Sequence, residues 1–379
     1  KQKDCKYPYK ELSGCGIGFK LIDALNTAAS FEEDILEYSE LAAISIASDI
    51  VPVTDENRVI AHLGLEKINK NPGPAVQAMK NVCGYNDPYT ISDLVFKFGP
   101  RINAAGRMKH ASTAVELLST ERPELAIEVG KLVNDNNIER QNRDKQVLKE
   151  ALNKIENESN TNNCIVCYDE SWHKGVIGIV ASRIIEQYFL PTVLLTKSEG
   201  KWVGSARSIP GFNIYEALNE CNEFYHSFGG HFAAAGLTIP EENLLPFIKK
   251  FDQVCSKGLN DELLTPSIEY DDIIEIDQIN STLLNSLYRL GPFGPENMIP
   301  VFKSTRVKAK WPKVLKEKHL SFQVETPDNS IKAIAFGLGS KANLIENGRE
   351  FDMCFTIEKN YWKDNLYIQL NIKDIKPSE

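Results

Sequence analysis

Residues 204–208 read Gly-Ser-Ala-Arg-Ser, the residue types of a site that binds an anion. Arg207 supplies a planar set of donors with a permanent positive charge, which suits the bidentate binding of a phosphate. Ser205 and Ser208 place a hydroxyl group on either side of it. A surface arginine between two serines is the alternative for this stretch taken alone.

Residues 229–236 read Gly-Gly-His-Phe-Ala-Ala-Ala-Gly, and they favour the same chemistry. Gly229 and Gly230 permit positive φ, so a turn is predicted here whose backbone N–H groups point inward. His231 adds a side-chain donor that is able to carry charge. A Gly-Gly turn beside a core histidine is the alternative. The two stretches together predict one phosphate site.

Strands and helices alternate around these stretches, which predicts a small α/β domain with the site at the ends of its strands. Strands are predicted at 164–168, 191–196, 201–205 and 236–239, and helices at 176–188, 214–228 and 244–259. Ahead of this domain, Thr120 and Pro123 predict the start of a helix that runs to about Asn157. Its ends carry apolar faces and its middle, residues 134–146, is polar, so a bridge with a solvated middle is expected.

Composition limits the class of protein. The chain has 379 residues, which suggests two or three domains, and a net charge of −9, so contacts to nucleic acid must come from local patches. No apolar run is long enough to span a membrane. Cys164 and Cys167 form a C-x-x-C pair without a matching partner pair. Three residues apart in a predicted strand, they are expected to face opposite sides, so two buried strand cysteines in a reducing cytoplasm are preferred over a zinc site.

Five short alternating segments predict a C-terminal barrel, an OB fold, with strands at 301–307, 320–325, 331–336, 351–358 and 366–372. Residues 303–318 contain seven Lys or Arg and one acidic residue, so their local net charge is +6. The part of this run with Lys308, Lys310, Trp311 and Lys313 is expected between the first two strands, and its cations and aromatic ring would suit single-stranded nucleic acid. A solvated lysine loop is the alternative.

Two further segments carry candidate site residues. Arg101, Asn103 and Arg107 lie in the sequence Arg-Ile-Asn-Ala-Ala-Gly-Arg and present two guanidinium groups suited to phosphate oxygens; surface arginines at a helix start are the alternative. Asp49 follows a predicted helix over 31–48, at the negative end of the helix dipole. There it needs a cation, and a turn aspartate paired with Arg58 or with a nearby amide is the alternative.

These motifs resemble the RecJ family of the DHH/DHHA1 phosphoesterases. The DHHA1 domain of that family is matched by residues 204–208, by Gly-Phe-Asn at 211–213, by Phe-Gly-Gly-His-x-x-Ala-Ala-Gly at 228–236 and by the Trp-His-x-Gly segment at 172–183. Ser-Asp-Ile-Val-Pro at 48–52, the arginine motif at 101–107 and Gly-Pro-Phe-Gly-Pro at 291–295 follow in the order of the family. The resemblance covers nearly all of the chain.

The resemblance implies a fold and a domain order. An α/β protein is expected, with the C-terminal part of a DHH catalytic domain over 1–121, a connecting helix over 122–157, a DHHA1 domain over 158–260 and an OB-fold domain over 261–379. No Asp-His-His occurs in the sequence. The chain is therefore expected to be the C-terminal two-thirds of a RecJ protein, inactive alone.

The resemblance also implies a function. It is metal-dependent hydrolysis of single-stranded DNA from the 5′ end to mononucleotides, in DNA repair and recombination, with two Mn²⁺ or Mg²⁺ ions in the complete enzyme. Asp49 would bind metal, and Arg207 and His231 would act at the phosphate. Single-stranded DNA is the expected partner in the cytoplasm, with a single-strand-binding protein or a helicase as candidate partners and no membrane. The alternatives are a phosphodiesterase for short oligonucleotides or dinucleotides and a non-catalytic nucleic-acid-binding protein.

Overall fold

The computed structural model describes residues 4–29, 34–85, 88–108, 110–157, 163–326, 330–362 and 365–378. The chain forms two compact units. Unit 1 comprises Lys1–Val76, Tyr85–Gly99 and Ser267–Glu379, and unit 2 comprises Gln77–Gly84 and Pro100–Pro266. Within the described ranges, no helix combines the length and the apolar character needed to cross a membrane.

The described helices and strands have the following bounds. The helices are α1 Gly14–Ala29, α2 Ser39–Asp49, α3 Asp55–Lys70, α4 Pro74–Cys83, α5 Ile91–Asp93, α6 Gly99–Met108, α7 Ser112–Ser119, α8 Pro123–Asn157, α9 Ile177–Tyr188, α10 Ile214–Asn219, α11 Leu244–Gly258, α12 Asp261–Leu264 and α13 Ser281–Tyr288. The strands are β1 Ile165–Tyr168, β2 Thr192–Ser198, β3 Lys201–Arg207, β4 Ser227–His231, β5 Ala234–Ile239, β6 Asp272–Ile273, β7 Phe302–Leu315, β8 His319–Glu325, β9 Ser330–Ala335, β10 Glu350–Trp362 and β11 Asn365–Pro377.

In unit 1, α2 packs closely against α3. The approach depends on Gly64, where a Cβ atom would lie 2.3 Å from the carbonyl oxygen of Ser39. The predicted helix over 31–48 is shorter than expected, because residues 35–38 form a 3-10 turn before α2; residues 31–33 lie outside the described residues. Asp49 is the last residue of α2, as predicted, and Ile50 ends the helix with a φ of 54°.

In unit 2, the long helix α8 has 35 residues and, at about 1.5 Å per residue, is about 50 Å long. Thr120 is not its N-cap, since the Thr120 hydroxyl accepts from the N–H of Arg122, ahead of the first helical residue. The middle of α8 is solvated on most of its surface, as predicted, but one face of it is buried. Four polar residues there are at most 8% exposed: Asn136, Asn137, Arg140 and Asp144. Arg140 donates to the Asn137 Oδ1, and Asp144 lies 3.1 Å from the Arg183 Nη2 of α9; a pattern of hydrophobic residues does not reveal such contacts.

The sheet of unit 2 has the strand order β1-β2-β3-β5-β4, in which only β1 and β2 are parallel. Helices α8 and α9 pack on one face, where Ile165, Cys167 and Leu194 are buried. Helices α10 and α11 cover the other face, where Cys164 is buried. The two cysteines therefore face opposite sides, as predicted, and all eight cysteines are free thiols. The α/β fold predicted for this part of the chain is confirmed.

The predicted Gly-Gly turn is wrong. Gly229 and Gly230 lie in strand β4, opposite Gly236 and Ala235 of β5, and neither has a positive φ. The helix predicted over 214–228 ends at Asn219, and the chain is extended again from Ser227. Cross-strand pairing with β5 determines this conformation, and local glycine content carries no information about that pairing.

The C-terminal region of unit 1 forms the predicted five-stranded barrel. Its strand order is β10-β11-β9-β8-β7, and β7 closes the barrel by pairing with β10. The core is apolar and includes Phe322, Phe351 and Phe355. One prediction is corrected: the basic run was expected between the first two strands, but β7 extends to Leu315 and contains Lys308, Lys310, Trp311 and Lys313. A register shift between Lys310 and Lys313 interrupts its pairing with β8.

Candidate phosphate-binding site

Strand β3 ends in Arg207, whose side chain folds back over the strand. Its Nη1 donates to the Ser205 Oγ at 2.9 Å and to the Ala206 carbonyl oxygen at 2.8 Å. Because side chains two residues apart share a face of a strand, Ser205 and Arg207 project from the same side of the sheet. The structure thus brings together the guanidinium and hydroxyl groups that the sequence predicted.

The sheet register adds His231 to this face. Ala234 of β5 pairs with Arg207 of β3 on one side and with His231 of β4 on the other. The Cα atoms of Arg207 and His231 are therefore about 10 Å apart, twice the spacing of neighbouring strands. Residues that are opposite each other in neighbouring strands point to the same face, so both side chains flank one area of the sheet. His231 is exposed.

The surface between these side chains is bare. Ser205, Gly236 and Gly229 form one row across β3, β5 and β4. Neither glycine has a side chain, and a Cβ atom placed on Gly229 would meet nothing within 4 Å. Gly229 and Gly236 therefore leave open space on the face of the sheet. Gly229 does not form the predicted turn.

Helix α9 approaches the site at Gly178. A Cβ atom there would lie 2.7 Å from the Arg207 Nη2 and 2.8 Å from the Ser205 Oγ. Only glycine leaves room for both side chains against the helix. Gly178 belongs to one of the sequence motifs, but its role does not follow from the sequence, since this contact joins residues distant along the chain.

Arg107 of α6 contacts the loop that precedes α9. The Arg107 Nη1 donates to the Gly175 carbonyl oxygen at 3.5 Å, and a Cβ atom on Gly175 would lie 2.7 Å from the Arg107 carbonyl oxygen. His173 Nδ1 accepts from the Gly175 N–H at 3.1 Å, so the proton of a neutral His173 lies on Nε2. Burial, and then the charge of Arg143, lower the pKa of His173 and favour this neutral form.

The site carries uncompensated positive charge. Burial lowers the pKa of Arg207, and the nearby charge of Arg107 lowers it further. Within the described ranges, neither arginine forms an ion pair with a carboxylate. Two guanidinium groups that repel each other and lack a counter-ion favour a bound anion, and the serine hydroxyl and the bare sheet suit a phosphate.

Other predicted residues are placed differently. Arg101 and Arg107 both lie in α6, but the Arg101 Nε donates to the Asn134 Oδ1 at 3.0 Å. Residues six apart in a helix point about 120° apart, so the expected guanidinium pair of Arg101 and Arg107 is not formed. Asn103 is exposed on the same helix. The Ser208 hydroxyl donates to the Phe212 carbonyl oxygen and so already has an acceptor within the chain.

Comparison with known proteins identifies the two C-terminal regions. The DHHA1 domain matches residues 160–257 and the RecJ OB domain matches residues 270–374. The chain is 33% identical to the single-stranded-DNA-specific exonuclease RecJ of Bacillus subtilis over 388 residues, covering 100% of this chain and 48% of that protein. It is 29% identical to RecJ of Salmonella typhimurium, covering 99% of this chain and 69% of that protein.

The chain contains a DHHA1 domain and a RecJ OB domain, and it is similar to RecJ proteins over its whole length. A crystal structure of RecJ from Thermus thermophilus in complex with Mg²⁺ superposes with a TM-score of 0.85 at 25% identity, covering 100% of this chain and 57% of that one. The Mn²⁺ complex from the same organism gives 0.84, covering 100% of this chain and 55% of that one. The chain spans about half the length of the Bacillus subtilis relative.

In unit 1, the RecJ OB domain carries a less cationic surface than its sequence suggested. Lys308 lies 3.5 Å from Glu350, and Lys310 lies 3.2 Å from Glu325, so acids on neighbouring strands offset part of the predicted +6. Trp311 is 71% exposed. A second aromatic ring on the same barrel, Phe336, is 61% exposed, and no sequence pattern singles it out. Both rings are available for stacking.

Asp49, also in unit 1, has an exposed carboxylate that accepts from the Ser45 hydroxyl at 3.2 Å. It is not paired with Arg58, whose guanidinium donates to the carbonyl oxygens of Leu290 and Gly291. An exposed carboxylate suits a divalent cation as one ligand. Among the described residues, however, no group of three or more His, Cys, Asp or Glu is arranged to hold a metal ion, so Asp49 alone does not form a site.

Proposed function

We propose that this chain is part of a metal-dependent exonuclease that degrades single-stranded DNA from the 5′ end to mononucleotides, in DNA repair and recombination. One observation carries the proposal: in the DHHA1 domain, Arg207 donates to the Ser205 hydroxyl and has no carboxylate partner among the described residues, and the charge of Arg107 acts on it. The presence of a RecJ OB domain in the same chain extends the proposal from a phosphate to a nucleic-acid strand.

At the phosphate site, each residue has a separate role. Arg207 and Ser205 hold the phosphate oxygens on the face of the sheet, and Arg107 adds a second guanidinium from the side of the Gly175 loop. His231 donates from the opposite rim. The bare positions at Gly229 and Gly236 let the sugar-phosphate backbone approach the sheet. Arg101, Asn103 and Ser208 are proposed only as contacts at the periphery, since the structure gives Arg101 and Ser208 other partners.

The proposed cofactor is a divalent metal, Mg²⁺ or Mn²⁺, with two ions in the complete enzyme. The Thermus thermophilus RecJ structures in complex with each of these ions support this choice. Asp49 is proposed as one carboxylate ligand. When bound, such ions lower the pKa of a coordinated water so that it attacks the phosphodiester. The residues of this chain contribute the binding and the orientation of the strand.

The OB domain is proposed to bind the strand through Lys308, Lys310, Trp311 and Lys313, which combine cations with an exposed ring. Single-stranded DNA is the proposed partner, with a single-strand-binding protein or a helicase as further candidates. The free thiols of all eight cysteines agree with the proposed location in a reducing cytoplasm.

The test uses the full-length gene product and Arg207→Ala. Removing a charge-assisted hydrogen bond to the reacting phosphate is expected to cost about 2–4 kcal/mol of transition-state stabilisation, a fall in kcat/KM of about 30- to 1000-fold. Arg122→Ala is the matched control, because Arg122 is exposed and lies just before α8. A folded Arg207→Ala enzyme with normal kcat/KM would remove Arg207 from the site.

The same assay separates the alternatives. A long 5′-phosphorylated single strand, labelled at either end, reports both the products and the polarity. Hydrolysis of dinucleotides alone would favour the phosphodiesterase, and binding without hydrolysis would favour the non-catalytic protein. The isolated 379-residue chain is expected to bind the strand without releasing mononucleotides in Mn²⁺. Release that is lost in Asp49→Ala would show that this chain holds a complete active site.

A further inference from the structure

The hairpin that joins β4 to β5 carries an aromatic residue beside the phosphate site. Its two turn residues are Phe232 and Ala233. They lie between His231 and Ala234, which pair with each other across the two strands. Ala234 also pairs with Arg207 of β3. Phe232 therefore follows His231 directly, at the end of the strands that carry the site.

Two backbone hydrogen bonds hold this turn against the loop that follows β3. The Ser208 N–H donates to the Ala233 carbonyl oxygen at 3.0 Å. The Ile214 N–H donates to the Phe232 carbonyl oxygen at 3.1 Å. Because Ser208 is the neighbour of Arg207 in the chain, these contacts fix the turn beside the arginine of the phosphate site.

The supporting loop is well anchored, and it includes the Gly-Phe-Asn sequence at 211–213. Gly211 has a φ of 82°, a conformation that favours glycine. Phe212 is buried in the core between the sheet and helices α10 and α11. Asn213 caps α10 by accepting from the N–H groups of Tyr215 and Glu216, at 3.1 and 3.3 Å. The motif therefore has a structural role, which is to hold the loop that supports the hairpin.

The Phe232 ring has no ring partner among the residues that the structure describes. It is 51% exposed, and within the described ranges it makes neither a ring–ring nor a cation–π contact. Phe228, on the same hairpin, contacts the rings of Tyr215 and Tyr225 at 5.2 and 5.4 Å. The hairpin thus packs one aromatic ring against the protein and leaves the other available to a ligand.

A single exposed apolar residue is common on protein surfaces, so exposure alone assigns no function to Phe232. Its placement is more specific. A nucleotide whose phosphate lies at Arg207 and Ser205 must put its sugar and base on the neighbouring face of the sheet. The bare position at Gly229 leaves that face open, and the next exposed side chains on the same hairpin are those of His231 and Phe232.

We propose that Phe232 stacks on the base of the nucleotide whose phosphate is bound by Arg207 and Ser205. The inference rests on the proposed function, and it adds a base contact to a site that otherwise offers groups for a phosphate. Stacking on an aromatic side chain tolerates any base, because every base has a π face. Phe232 therefore strengthens the binding of each nucleotide of a strand of arbitrary sequence, as an exonuclease requires.

The experiment measures the binding of two probes to the full-length protein by isothermal titration. Deoxyadenosine 5′-monophosphate and 2-deoxyribose 5-phosphate carry the same phosphate and sugar, and only the first has a base. Phe232→Ala is expected to weaken binding of the first probe about 5- to 150-fold, the range for the loss of one stacked base, and to leave binding of the second unchanged. Phe232→Trp is expected to retain the binding of both probes.

Leu245→Ala is the matched control. Leu245 is 67% exposed on α11, the helix that covers the other face of the same sheet. The control is expected to bind both probes as the wild-type protein does. Phe232→Leu keeps an apolar side chain but has no π face, so it is expected to bind deoxyadenosine 5′-monophosphate more weakly than Phe232→Trp.

Equal loss of both probes in Phe232→Ala would show that Phe232 supports the phosphate site and not the base, and would overturn the proposal. Unchanged binding of deoxyadenosine 5′-monophosphate in this variant, or equal binding of both probes to the wild-type protein, would also overturn it. Thermal unfolding reports whether the fold is intact, and Phe232→Leu gives the same comparison if Phe232→Ala does not fold. Failure of the proposed function is distinct: it would appear as unchanged binding of 2-deoxyribose 5-phosphate in Arg207→Gln.

Discussion

Gly178→Ala is expected to impair phosphate binding without harming the fold. The added methyl carbon would lie 2.7 Å from the Arg207 Nη2 and 2.8 Å from the Ser205 Oγ. An ordinary contact is about 3.5 Å, so the two groups must move by about 0.8 and 0.7 Å. Both groups are ends of side chains, which move at little cost. The methyl group therefore displaces the phosphate ligands and leaves the backbone in place.

The substitution is expected to affect folding stability and phosphate binding in opposite directions. Alanine is favoured over glycine in a helix by as much as about 1 kcal/mol, so the melting temperature is expected to stay equal or rise. Disrupting a charge-assisted hydrogen bond to phosphate is expected to weaken mononucleotide binding by about 1.5–3 kcal/mol, about 10- to 140-fold in Kd.

The measurements are isothermal titration with a 5′-phosphorylated mononucleotide and thermal unfolding of the same protein. Gly18→Ala is the control, because it also lies in a helix and its added Cβ would meet nothing within 4 Å. It is expected to gain stability and to keep its affinity. If Gly178→Ala binds as the control does, the Arg207 and Ser205 side chains do not hold the phosphate.

Three further results are expected. Changing Lys308, Lys310 and Lys313 together to Glu should weaken binding to single-stranded DNA and reduce the log–log salt slope by about 0.7 for each phosphate that is no longer neutralised; unchanged binding would leave only a solvated surface. Asp169→Asn should cost about 1 kcal/mol in urea unfolding at pH 7, because hydrogen bonds from Lys154 and Ser171 lower the pKa of Asp169 to about 2 and the pair is partly exposed to solvent. Since the folded pKa is depressed, the difference should persist above about pH 4 and vanish as the pH falls through 2; a constant difference would contradict the cause. Gly64→Ala, in contrast to Gly178→Ala, should lower the melting temperature, because its methyl meets backbone at Ser39.

Features that depend on local pattern follow from the amino-acid sequence alone. The period of two residues predicts strand β3, although the prediction ended at Ser205 and the structure extends the strand to Arg207. The same period of two residues predicts the five barrel strands. It also predicts that Cys164 and Cys167 face opposite sides of the sheet. Helical periodicity predicts the length of α8, whose two ends carry apolar faces.

Which distant residues meet is determined by tertiary packing. Gly229 and Gly230 are compatible with both a turn and a strand, and their pairing with β5 selects the strand. Asp144 looks like a solvated helix residue until Arg183 of another helix is placed beside it, 3.1 Å away. The roles of Gly178 and of the bare position at Gly236 likewise depend on approach between separate elements. Such contacts depend on three-dimensional packing, which a one-dimensional pattern of polarity and propensity does not contain.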